Sequence, residues 1–402
     1  MSLSGTSGWD RTFLDLSSCL AEPFCTVYEL LRYRLVAPLD PNKFENQSPV
    51  PLEIFTRTMI GAGAILGACV SAVFFVPVFC GIGMLAVGCK VLRALGFAVQ
   101  QDGFTHVRGL APEKIMNFKA PQIKVATWNL CGVGGGLSLD HGGVVHWRSR
   151  LDEIVDKLRW EDPDVLILQE IYDTSLYEAI IEKLQNDYAH FFIHLGPNVL
   201  GMGSGLMVLS KYPVHQFAYE SFENNDWTLN RGFSTLELKA NPNDTAPCAR
   251  IIGTHLVHPI ESQAERYAQV AQIVNSLAKR TLPLPTVFAG DLNMERDGEG
   301  KYLKSFLRHG YIDKIPTRTP HLLSQWSKPD CKLEETIDYL SLFKHSASHN
   351  GKTLPTVKKD VSLEQVHLIE AFDSTYNTKT ALSDHHGIAG TLHLPISHNR
   401  LD

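Results

Sequence analysis

The sequence lacks the cysteine pattern of a disulfide-stapled protein or of a zinc site. Only eight of the 402 residues are cysteine, five of them lie within the first 90 residues, and no CxxC pair or Cys/His ligand spacing is present. We therefore predict free thiols, which indicates that the soluble part of the chain faces a reducing compartment. If the chain is attached to a membrane, this part is expected on the cytoplasmic face.

The chain also has no excess of positive charge. It contains 37 basic and 43 acidic residues, which gives a formal net charge of −6. Residues 121–402 hold 27 of the basic and 34 of the acidic residues, so this larger segment has a net charge of −7. Such a balance offers no general attraction to nucleic acid, and no nucleic-acid partner is expected.

The sequence also lacks the features of a cleaved signal peptide, of internal repeats and of low-complexity segments. Residues Met1–Thr12 do not show a basic stretch followed by a short apolar run and a small-residue cleavage site, so no cleaved signal peptide is predicted. The sequence has no fixed-period repeat and no low-complexity tract. With 44% hydrophobic residues, the chain is instead expected to fold around at least one sizeable core.

A long uncharged segment precedes the acidic part of the chain. The 31 residues Met59–Cys89 contain no charged side chain, and basic residues flank them on both sides. One straight helix of this length would measure about 46 Å at ~1.5 Å per residue, against a hydrocarbon core of ~30 Å. Residues 59–89 therefore predict a membrane segment, either a helical hairpin bent near Pro77 or one tilted span; a buried soluble helix is the remaining alternative. The nearly equal basic charge of the two flanks favours the hairpin.

The segments on either side of this membrane segment differ from it in composition. Within residues 1–58, apolar side chains recur three and four apart from Leu20 to Leu31. This spacing predicts an amphipathic helix, on the membrane surface or in a protein core, and nearby basic residues would attract anionic lipid. Residues 90–120 are polar and irregular and are interpreted as a linker, so the globular domain is predicted to comprise residues 121–402.

Short apolar runs that end in polar residues recur in the globular domain. Ile123–Ala126, Val165–Leu168 and Val287–Ala289 each predict a buried β-strand whose end carries polar side chains. Helical periodicity at Trp147–Leu158 and Leu176–Leu184 predicts helices between them. The result is an α/β fold in which sheets and helices pack in layers. Further strands are predicted at Leu206–Leu209, Ser234–Leu238, Arg250–Thr254, Ile337–Leu342 and Gly387–Leu392.

Four carboxylates stand at or near the ends of predicted strands: Glu170, Asp291, Asp338 and Asp384. A single acidic residue at such a position is usually a turn former or a helix cap. Four carboxylates gathered in one cleft would repel one another, and a divalent cation or protons would be needed to offset their charge. Oxygen ligands of this kind suit Mg²⁺, or Mn²⁺, rather than zinc.

Two of the 17 histidines, His255 and His385, stand beside these segments. An imidazole next to a carboxylate can take a proton from water near neutral pH, and a second imidazole can stabilise a phosphorane-like charge. Together with the carboxylates, the two histidines favour phosphoester hydrolysis.

Seven short motifs follow one another along the globular domain. They are Trp128-Asn129, Gln169-Glu170, Ser204-Gly205-Leu206, Thr254-His255-Leu256, Gly290-Asp291-Leu292-Asn293, Ile337-Asp338-Tyr339 and Ser383-Asp384-His385. Each motif is a weak signal alone, but seven in this order, over residues 121–395, are very specific and resemble the endonuclease/exonuclease/phosphatase family. The resemblance implies a four-layer, DNase I-like α/β sandwich, in which two mixed sheets pack face to face between helices, and Mg²⁺-dependent cleavage of a phosphoester.

A narrower resemblance lies in the stretch Ser204–Pro213, in Asp226, in Arg231-Gly232, in Thr254-His255-Leu256 and in the membrane segment before the globular domain. By these features the chain is most similar, within this family, to the membrane-bound neutral sphingomyelinases. Those enzymes usually have Lys-Gly where this chain has Arg231-Gly232. A planar guanidinium binds phosphate with a different geometry from that of an ammonium group. The resemblance implies a membrane phospholipid substrate, sphingomyelin, which is hydrolysed to ceramide and phosphocholine.

By position, the resemblance also implies binding residues. Glu170 is expected to ligate the metal, with Asn129 and Asp384 near it. Asn129 and Arg231 are expected to contact the substrate, Arg231 as a second phosphate contact.

The resemblance implies five catalytic residues as well. Asp291 and Asn293 are expected to hold the attacking water or the scissile phosphate. His385 is expected to act as the base, oriented by Asp338, and His255 to stabilise the charged phosphate.

Two other functions stay open on sequence alone. One is another hydrolase of the same fold, a nuclease or a phosphoinositide phosphatase, although the acidic domain offers no obvious basic groove for nucleic acid. The other is a non-catalytic membrane-binding module. Chemistry suited to hydrolysis occupies every expected position, which favours the enzyme.

Overall fold

The computed structural model of the chain describes fourteen segments of very different length. They are residues 3–4, 88, 103–133, 144, 146–196, 203–224, 229–258, 262–280, 282–308, 335–343, 348–349, 352–353, 360–371 and 381–395. The predicted membrane segment 59–89 lies outside these residues apart from Gly88, and so does the predicted amphipathic stretch Leu20–Leu31. Among the described residues, no helix has both the length and the apolar character needed to cross a bilayer.

Sixteen strands and three α-helices make up the described part of the chain. The helices are α1 (Leu151–Glu161), α2 (Thr174–Leu184) and α3 (Gln263–Ala278), with short 3₁₀ helices at Trp147–Ser149 and Glu299–Ser305. The strands are β1 (Leu3–Ser4), β2 (Thr105–Arg108), β3 (Gln122–Gly132), β4 (Val165–Ile171), β5 (His190–Ile193), β6 (Met207–Ser210), β7 (Val214–Ser221), β8 (Gly232–Leu238), β9 (Ala249–His255), β10 (Thr286–Asp291), β11 (Leu307–Arg308), β12 (Asp338–Phe343), β13 (Ser348–His349), β14 (Lys352–Thr353), β15 (Ser362–Ile369) and β16 (Gly387–His393).

The strands form two large mixed sheets and one hairpin. The first sheet has the order β1-β2-β5-β6-β4-β3-β16-β15, and the second has the order β11-β12-β10-β9-β8-β7. Each sheet contains one parallel pair, β3 with β4 and β9 with β10, and all other neighbours are antiparallel. The α/β prediction with two mixed sheets and helices is therefore confirmed.

Three apolar cores show how the layers pack. The inner faces of the two sheets meet in a core that includes Val125, Ile167, Ile251 and Leu340. Trp128 and Leu168, on the opposite face of the first sheet, pack with residues of α1 and α2, while Phe288 of the second sheet packs with residues of α3. This part of the chain thus has the layers helix, sheet, sheet, helix. Strands buried on both faces require continuous apolar runs, which explains the runs in the sequence.

Local sequence explains where the helices begin and end. In α1, Asp152 and Glu153 lie in the first turn, where their negative charges interact favourably with the positive end of the helix dipole. The helix ends at Glu161, and the next residue, Asp162, has a left-handed φ of +50°. In α2, the Asp173 side chain accepts a hydrogen bond from the backbone N–H of Ser175 and caps the first turn.

Two local features differ from the sequence prediction. Residues Trp147–Ser149 form a separate 3₁₀ turn, so α1 begins at Leu151 rather than at Trp147. In addition, Thr105–Arg108, within the predicted linker 90–120, form β2 and pair with β5 in the first sheet. A four-residue strand has too few alternating positions to be distinguished from a polar loop in the sequence.

A cluster of polar and aromatic side chains joins β2 to β5. The ring of His106 stacks on that of Phe192, with 4.6 Å between centroids, and its Nε2 lies 3.1 Å from Nδ1 of His190. The Nε2 of His190 lies 3.0 Å from the Glu113 carboxylate, which also accepts a hydrogen bond from Arg108. Burial, and then the charge of Arg108, lower the pKa of both histidines to about 4.

These two histidines predict a pH dependence of stability. Because their pKa falls from 6.5 to about 4 on folding, the unfolded chain binds more protons than the folded chain between these values. The free energy of unfolding is therefore expected to decrease as the pH is lowered from about 6.5 towards 4. Thermal unfolding of the intact protein at successive pH values measures the effect.

A variant identifies the source of this pH dependence. His106→Phe keeps a ring to stack on Phe192 and removes one titrating group, so the loss of stability across this pH range should become smaller. His215→Phe, at an exposed position of β7, serves as control. An unchanged slope in His106→Phe would contradict the assignment.

Candidate active site

The candidate residues meet at one end of the two packed sheets. Asn129 and Glu170 lie near the carboxyl ends of the parallel strands β3 and β4, and His255 and Asp291 end the parallel strands β9 and β10. The carboxyl ends of parallel neighbours lie at the same edge of a sheet. Each sheet therefore delivers one pair of polar side chains to the site.

Strand register in the second sheet aligns three functional groups. Asp291 of β10 stands directly opposite Asp338 of the antiparallel strand β12, and it is also the register partner of His255 on the parallel strand β9. All three side chains are buried. Two carboxylates placed directly opposite each other repel, so this arrangement requires positive charge or protons nearby.

His385 supplies a titratable group beside these carboxylates. Its Nδ1 lies 2.8 Å from Oδ2 of Asp338, while its Nε2 lies 3.8 Å from Oδ2 of Asp291 and 3.9 Å from Oδ2 of Asp384. A carboxylate on Nδ1 fixes the tautomer and orientation of an imidazole and leaves Nε2 to face the cleft. His385 and Asp338 thus have the geometry of an oriented acid/base pair.

Two side chains hold the loop that carries His385. The indole Nε1 of Trp128 donates a hydrogen bond of 2.8 Å to the His385 carbonyl. The Ser383 hydroxyl donates to the Asn129 carbonyl at 2.6 Å and accepts from the His385 N–H at 3.2 Å. The loop before β16 is thereby fixed to the end of β3, which belongs to the same sheet.

The remaining candidate ligands lie on the side of the first sheet. The Asn129 side-chain amide donates to Glu170 at 3.0 Å and to Asp291 at 3.1 Å, so it links the two sheets. Its oxygen accepts the backbone N–H of Cys131. The fully buried guanidinium of Arg150 donates to the carbonyls of Leu130, Cys131 and Leu382, which ties the end of β3 to the loop that carries Asp384.

The backbone around the site adopts uncommon conformations. Glu170, Cys131 and Asn293 are non-glycine residues with φ between +50° and +59°. Gly290 has a φ of +142°, and a Cβ there would lie 1.9 Å from the carbonyl oxygen of Thr254, so only glycine fits before Asp291. Left-handed non-glycine residues carry strain that the surrounding structure must overcome, and such residues cluster at functional sites.

Burial and mutual charge shift the pKa values of these groups. Burial, and then the charge of Asp384, raise the pKa of Glu170, whereas burial and the charge of Asp338 raise the pKa of Asp291 to about 7. Burial by itself lowers the pKa of His385, but the carboxylates of Asp338, Asp384 and Asp291 outweigh it and raise the pKa to about 10. Burial, and then the charge of Arg231, hold the pKa of His255 well below its usual value.

Of the other two predicted residues, Asn293 lies beside Asp291 and Arg231 lies on the His255 side of the cleft. The Asn293 backbone N–H donates to Asp291 Oδ1 at 2.9 Å, and its side-chain amide donates to the carbonyl of Leu256 at 3.0 Å. The Arg231 guanidinium is buried and donates to the same carbonyl. The structure thus brings all nine predicted site residues to one cleft, while Asp226 lies outside the described residues.

The chemistry of the cleft fits a hard divalent cation. Glu170 and Asp384 are close enough for the charge of one to raise the pKa of the other, and both are carboxylates. A second compact group of possible ligands comprises Asp291, Asp338 and His385, whose ligand atoms lie within 4.8 Å of one another. Asn129 as oriented presents its N–H to the carboxylates; it would offer oxygen only after the amide is turned over.

Sequence reasoning assigned no role to several residues that shape the site. Trp128 and Ser383 stand inside the recognised motifs, so their proximity to Asn129 and His385 was a usable signal. Arg150 gave no signal, because it stands in a helical pattern and its partners are backbone carbonyls distant in sequence.

Comparison with known proteins finds relatives of low identity. The chain is 26% identical over 169 residues to a sphingomyelinase C of Listeria ivanovii, a match covering 36% of this chain and 49% of that protein. It is 28% identical over 157 residues to sphingomyelin phosphodiesterase 3 of Mus musculus, covering 33% of this chain and 24% of the relative. The matched region thus spans about half the bacterial protein's length and a quarter of the mouse protein's.

Solved structures were compared as well. The sphingomyelinase C of Streptomyces griseocarneus superposes with a TM-score of 0.47 at 20% identity, covering 67% of this chain and 99% of that one. A magnesium-bound variant of the Staphylococcus aureus beta toxin gives a TM-score of 0.46 at 18% identity, covering 67% and 99% respectively.

A family model gives the match that shows the family of this chain. It covers residues 126–385, which is more than half of the chain and includes every residue of the cleft described above. The chain belongs to the endonuclease/exonuclease/phosphatase family.

Proposed function

We propose that the protein is a membrane-tethered, Mg²⁺-dependent phosphodiesterase that hydrolyses sphingomyelin to ceramide and phosphocholine. The observation that carries this proposal is the buried pair of His385 and Asp338 beside Asp291, at 2.8 Å and 3.8 Å. His385 is an oriented base, and Asp338 and Asp291 surround it with negative charge. The sphingomyelinase relatives support the choice of substrate.

In this proposal His385 takes a proton from water through Nε2. Asp338 holds Nδ1 and stabilises the imidazolium that forms. Asp291, whose carboxylate lies 3.5 Å from Nε2 of His255 and accepts hydrogen bonds from Asn129 and Asn293, orients the attacking water or the scissile phosphate.

A divalent cation is part of this proposal because of the charge in the cleft. A base whose pKa is about 10 stays protonated at neutral pH and cannot accept another proton. Glu170 and Asp384, with Asn129 near them, are the residues proposed to hold the cation. When bound, Mg²⁺, or Mn²⁺ in its place, would offset carboxylate charge and stabilise the negative charge on the phosphate.

Donors on the opposite side of the cleft suit a phosphate group. His255 is buried, and its Nδ1 has no hydrogen-bond partner among the described residues. The buried guanidinium of Arg231 donates to the carbonyl of Leu256, the residue after His255, and its charge lowers the pKa of His255. We assign them to the charged phosphate, where positive charge and N–H donors stabilise the transition state.

The membrane part of the proposal is supported by the uncharged segment 59–89 and by the lipid, sphingomyelin, that the name of the mouse relative contains. A lipid substrate lies in a bilayer, and attachment of the enzyme to the same bilayer raises its local concentration. Free thiols favour the cytoplasmic face for the catalytic domain, and basic residues beside the segment favour contact with anionic lipid.

The direct test is release of phosphocholine by the full-length purified protein in vesicles that contain sphingomyelin. We expect release in Mg²⁺, none after chelation, and recovery when Mg²⁺ is restored. Phosphatidylcholine, phosphoinositide and DNA substrates are assayed in parallel.

Two results of this screen would contradict the proposal. Cleavage of DNA or of a phosphoinositide without release of phosphocholine would assign the protein to another activity of the family. A protein that binds vesicles but cleaves none of the substrates in Mg²⁺ or Mn²⁺ would be a membrane-binding module.

A further inference from the structure

Arg150 stands between the 3₁₀ turn Trp147–Ser149 and α1, and the proposed function gives it no role. Its side chain is buried. Its backbone is held on both sides, because its N–H donates to the carbonyl of Trp147 at 3.1 Å and its carbonyl accepts the N–H of Ile154 at 3.1 Å. Burial of a guanidinium is costly unless its donors find partners, so the partners of Arg150 indicate what the residue is for.

The first partners of the Arg150 guanidinium lie in a β-bulge of β3. Two residues of this strand, Leu130 and Cys131, stand opposite the single residue Glu170 of the parallel strand β4. A bulge takes main-chain groups out of the regular ladder, so they need other partners. Arg150 donates to the carbonyls of both Leu130 and Cys131. It thereby stabilises the bulge between Asn129 and the rest of β3.

The geometry of this bulge determines where Asn129 and Glu170 lie. The Cys131 N–H donates to the side-chain oxygen of Asn129 at 3.0 Å, and the Asn129 amide donates to the Glu170 carboxylate at 3.0 Å. Directly after the bulge, a Cβ on Gly132 would collide with the carbonyl of Glu170, so the two strands are in close contact. A shift of the bulge would therefore move both the carboxylate of Glu170 and the amide that holds it.

The same guanidinium also holds the loop that carries Asp384. It donates to the carbonyl of Leu382, two residues before Asp384. Between these two residues, the Ser383 hydroxyl donates to the Asn129 carbonyl at 2.6 Å. A guanidinium is planar and presents its donors in a fixed fork, so it can join carbonyls of two segments in one geometry. Arg150 thus connects the segments of all three residues proposed to hold the cation.

We propose that Arg150 is a positioning residue that sets the affinity of the protein for the divalent cation. It holds the segments of Asn129, Glu170 and Asp384 in place before the ion arrives, so little reorganisation is needed on binding. This inference rests on the cation site of the proposed function and is independent of the lipid that is cleaved. The charge of Arg150 acts in the opposite direction, because a positive charge near the site repels a cation. Variants can therefore separate the two contributions.

The test compares Mg²⁺ binding by the full-length wild type and by Arg150→Lys. Lysine keeps the positive charge but has a single nitrogen instead of the fork, so it cannot reach the carbonyls of both segments in the same geometry. The dissociation constant for Mg²⁺, measured by calorimetric titration without substrate, is expected to rise by about 10-fold or more. The Mg²⁺ concentration that gives half-maximal turnover should rise by the same factor, whereas turnover at saturating Mg²⁺ should approach the wild-type value.

Arg250→Lys is the matched control. Arg250 is also a buried arginine, but it lies at the start of β9, at the other end of this strand from His255, and it donates to Glu237 at 2.9 Å. This substitution should lower the melting temperature, as Arg150→Lys does, and leave the affinity for Mg²⁺ unchanged. Arg150→Gln removes the charge together with the fork, and it should also bind Mg²⁺ more weakly than the wild type. Tighter binding by Arg150→Gln would show that charge repulsion dominates and would overturn the proposal.

Three further results would overturn it. They are a wild-type Mg²⁺ affinity in Arg150→Lys, an equal loss of affinity in Arg250→Lys, and failure of both Arg150 variants to fold, which would assign the residue to the fold alone. If the wild type binds Mg²⁺ more tightly than Arg150→Lys but releases no phosphocholine from sphingomyelin, the substrate assignment fails and the role of Arg150 stands. A wild type that binds no Mg²⁺ would reject the cation site and the role of Arg150 together.

Discussion

The substitution His385→Asn is expected to lower kcat for sphingomyelin by about 10³-fold, within the range found for removal of a general base. Asparagine can still form a hydrogen bond to Asp338, but it cannot accept a proton from water. The side chain is buried and its loop is held through backbone and Ser383 contacts, so the fold should survive. Steady-state turnover in vesicles and thermal unfolding measure the two parts of this expectation.

Two companion variants sharpen this experiment. Asp338→Asn removes the group that orients His385, and because both act as one unit, the double variant should lose little more than His385→Asn alone. His215→Asn, at an exposed position of β7, is the control and should keep wild-type activity. Retention of a tenth or more of the activity by a folded His385→Asn protein would show that the base lies elsewhere.

The second large effect is expected from Glu170→Gln. Glutamine has nearly the same shape and can keep the hydrogen bond that Glu170 accepts from Asn129, but it has no negative charge. We expect activity at a fixed Mg²⁺ concentration to fall by at least about 100-fold, with partial recovery as Mg²⁺ is raised, because a lost ligand weakens cation binding. Calorimetric titration with Mg²⁺ in the absence of substrate gives an independent measure of affinity.

Glu182→Gln is the matched control for this substitution. Glu182 lies on the exposed face of α2, and its replacement removes the same charge without touching the cleft. Equal Mg²⁺ affinity in Glu170→Gln and Glu182→Gln would contradict the assignment of Glu170. The cation would then be expected at the other compact group of possible ligands, Asp291, Asp338 and His385.

Several strands were predictable because they are buried on both faces. The runs Val165–Leu168 and Val287–Ala289 lie inside β4 and β10, and the polar residues that follow them stand at the cleft. A short apolar run followed by polar residues is a local pattern, so no knowledge of distant contacts is needed to find it. Gly290 belongs to the same pattern, although only the structure shows the close approach of Thr254 that requires it.

Other features could not be found from local pattern. Asn129 was expected after a strand that ends near Ala126, but β3 continues to Gly132 with an irregular register between Asn129 and Gly132. The continuation depends on pairing with β4 and on carbonyl contacts to Arg150, which comes from a different element. Tertiary contacts of this kind override local propensity.

By itself, the sequence determined the order of the motifs that carry catalytic and binding residues, and this order indicated the family. Each motif is a short local string, so it can be recognised without knowledge of the folded structure. It also determined the α/β class, because short apolar runs indicated strands and apolar residues three and four apart indicated helices. Only the tertiary structure decided which groups touch: Asp291 stands opposite Asp338, and His385 is turned towards Asp338. These contacts join residues far apart in the chain, and their distances and pKa values follow from how two twisted sheets pack, which local sequence does not specify.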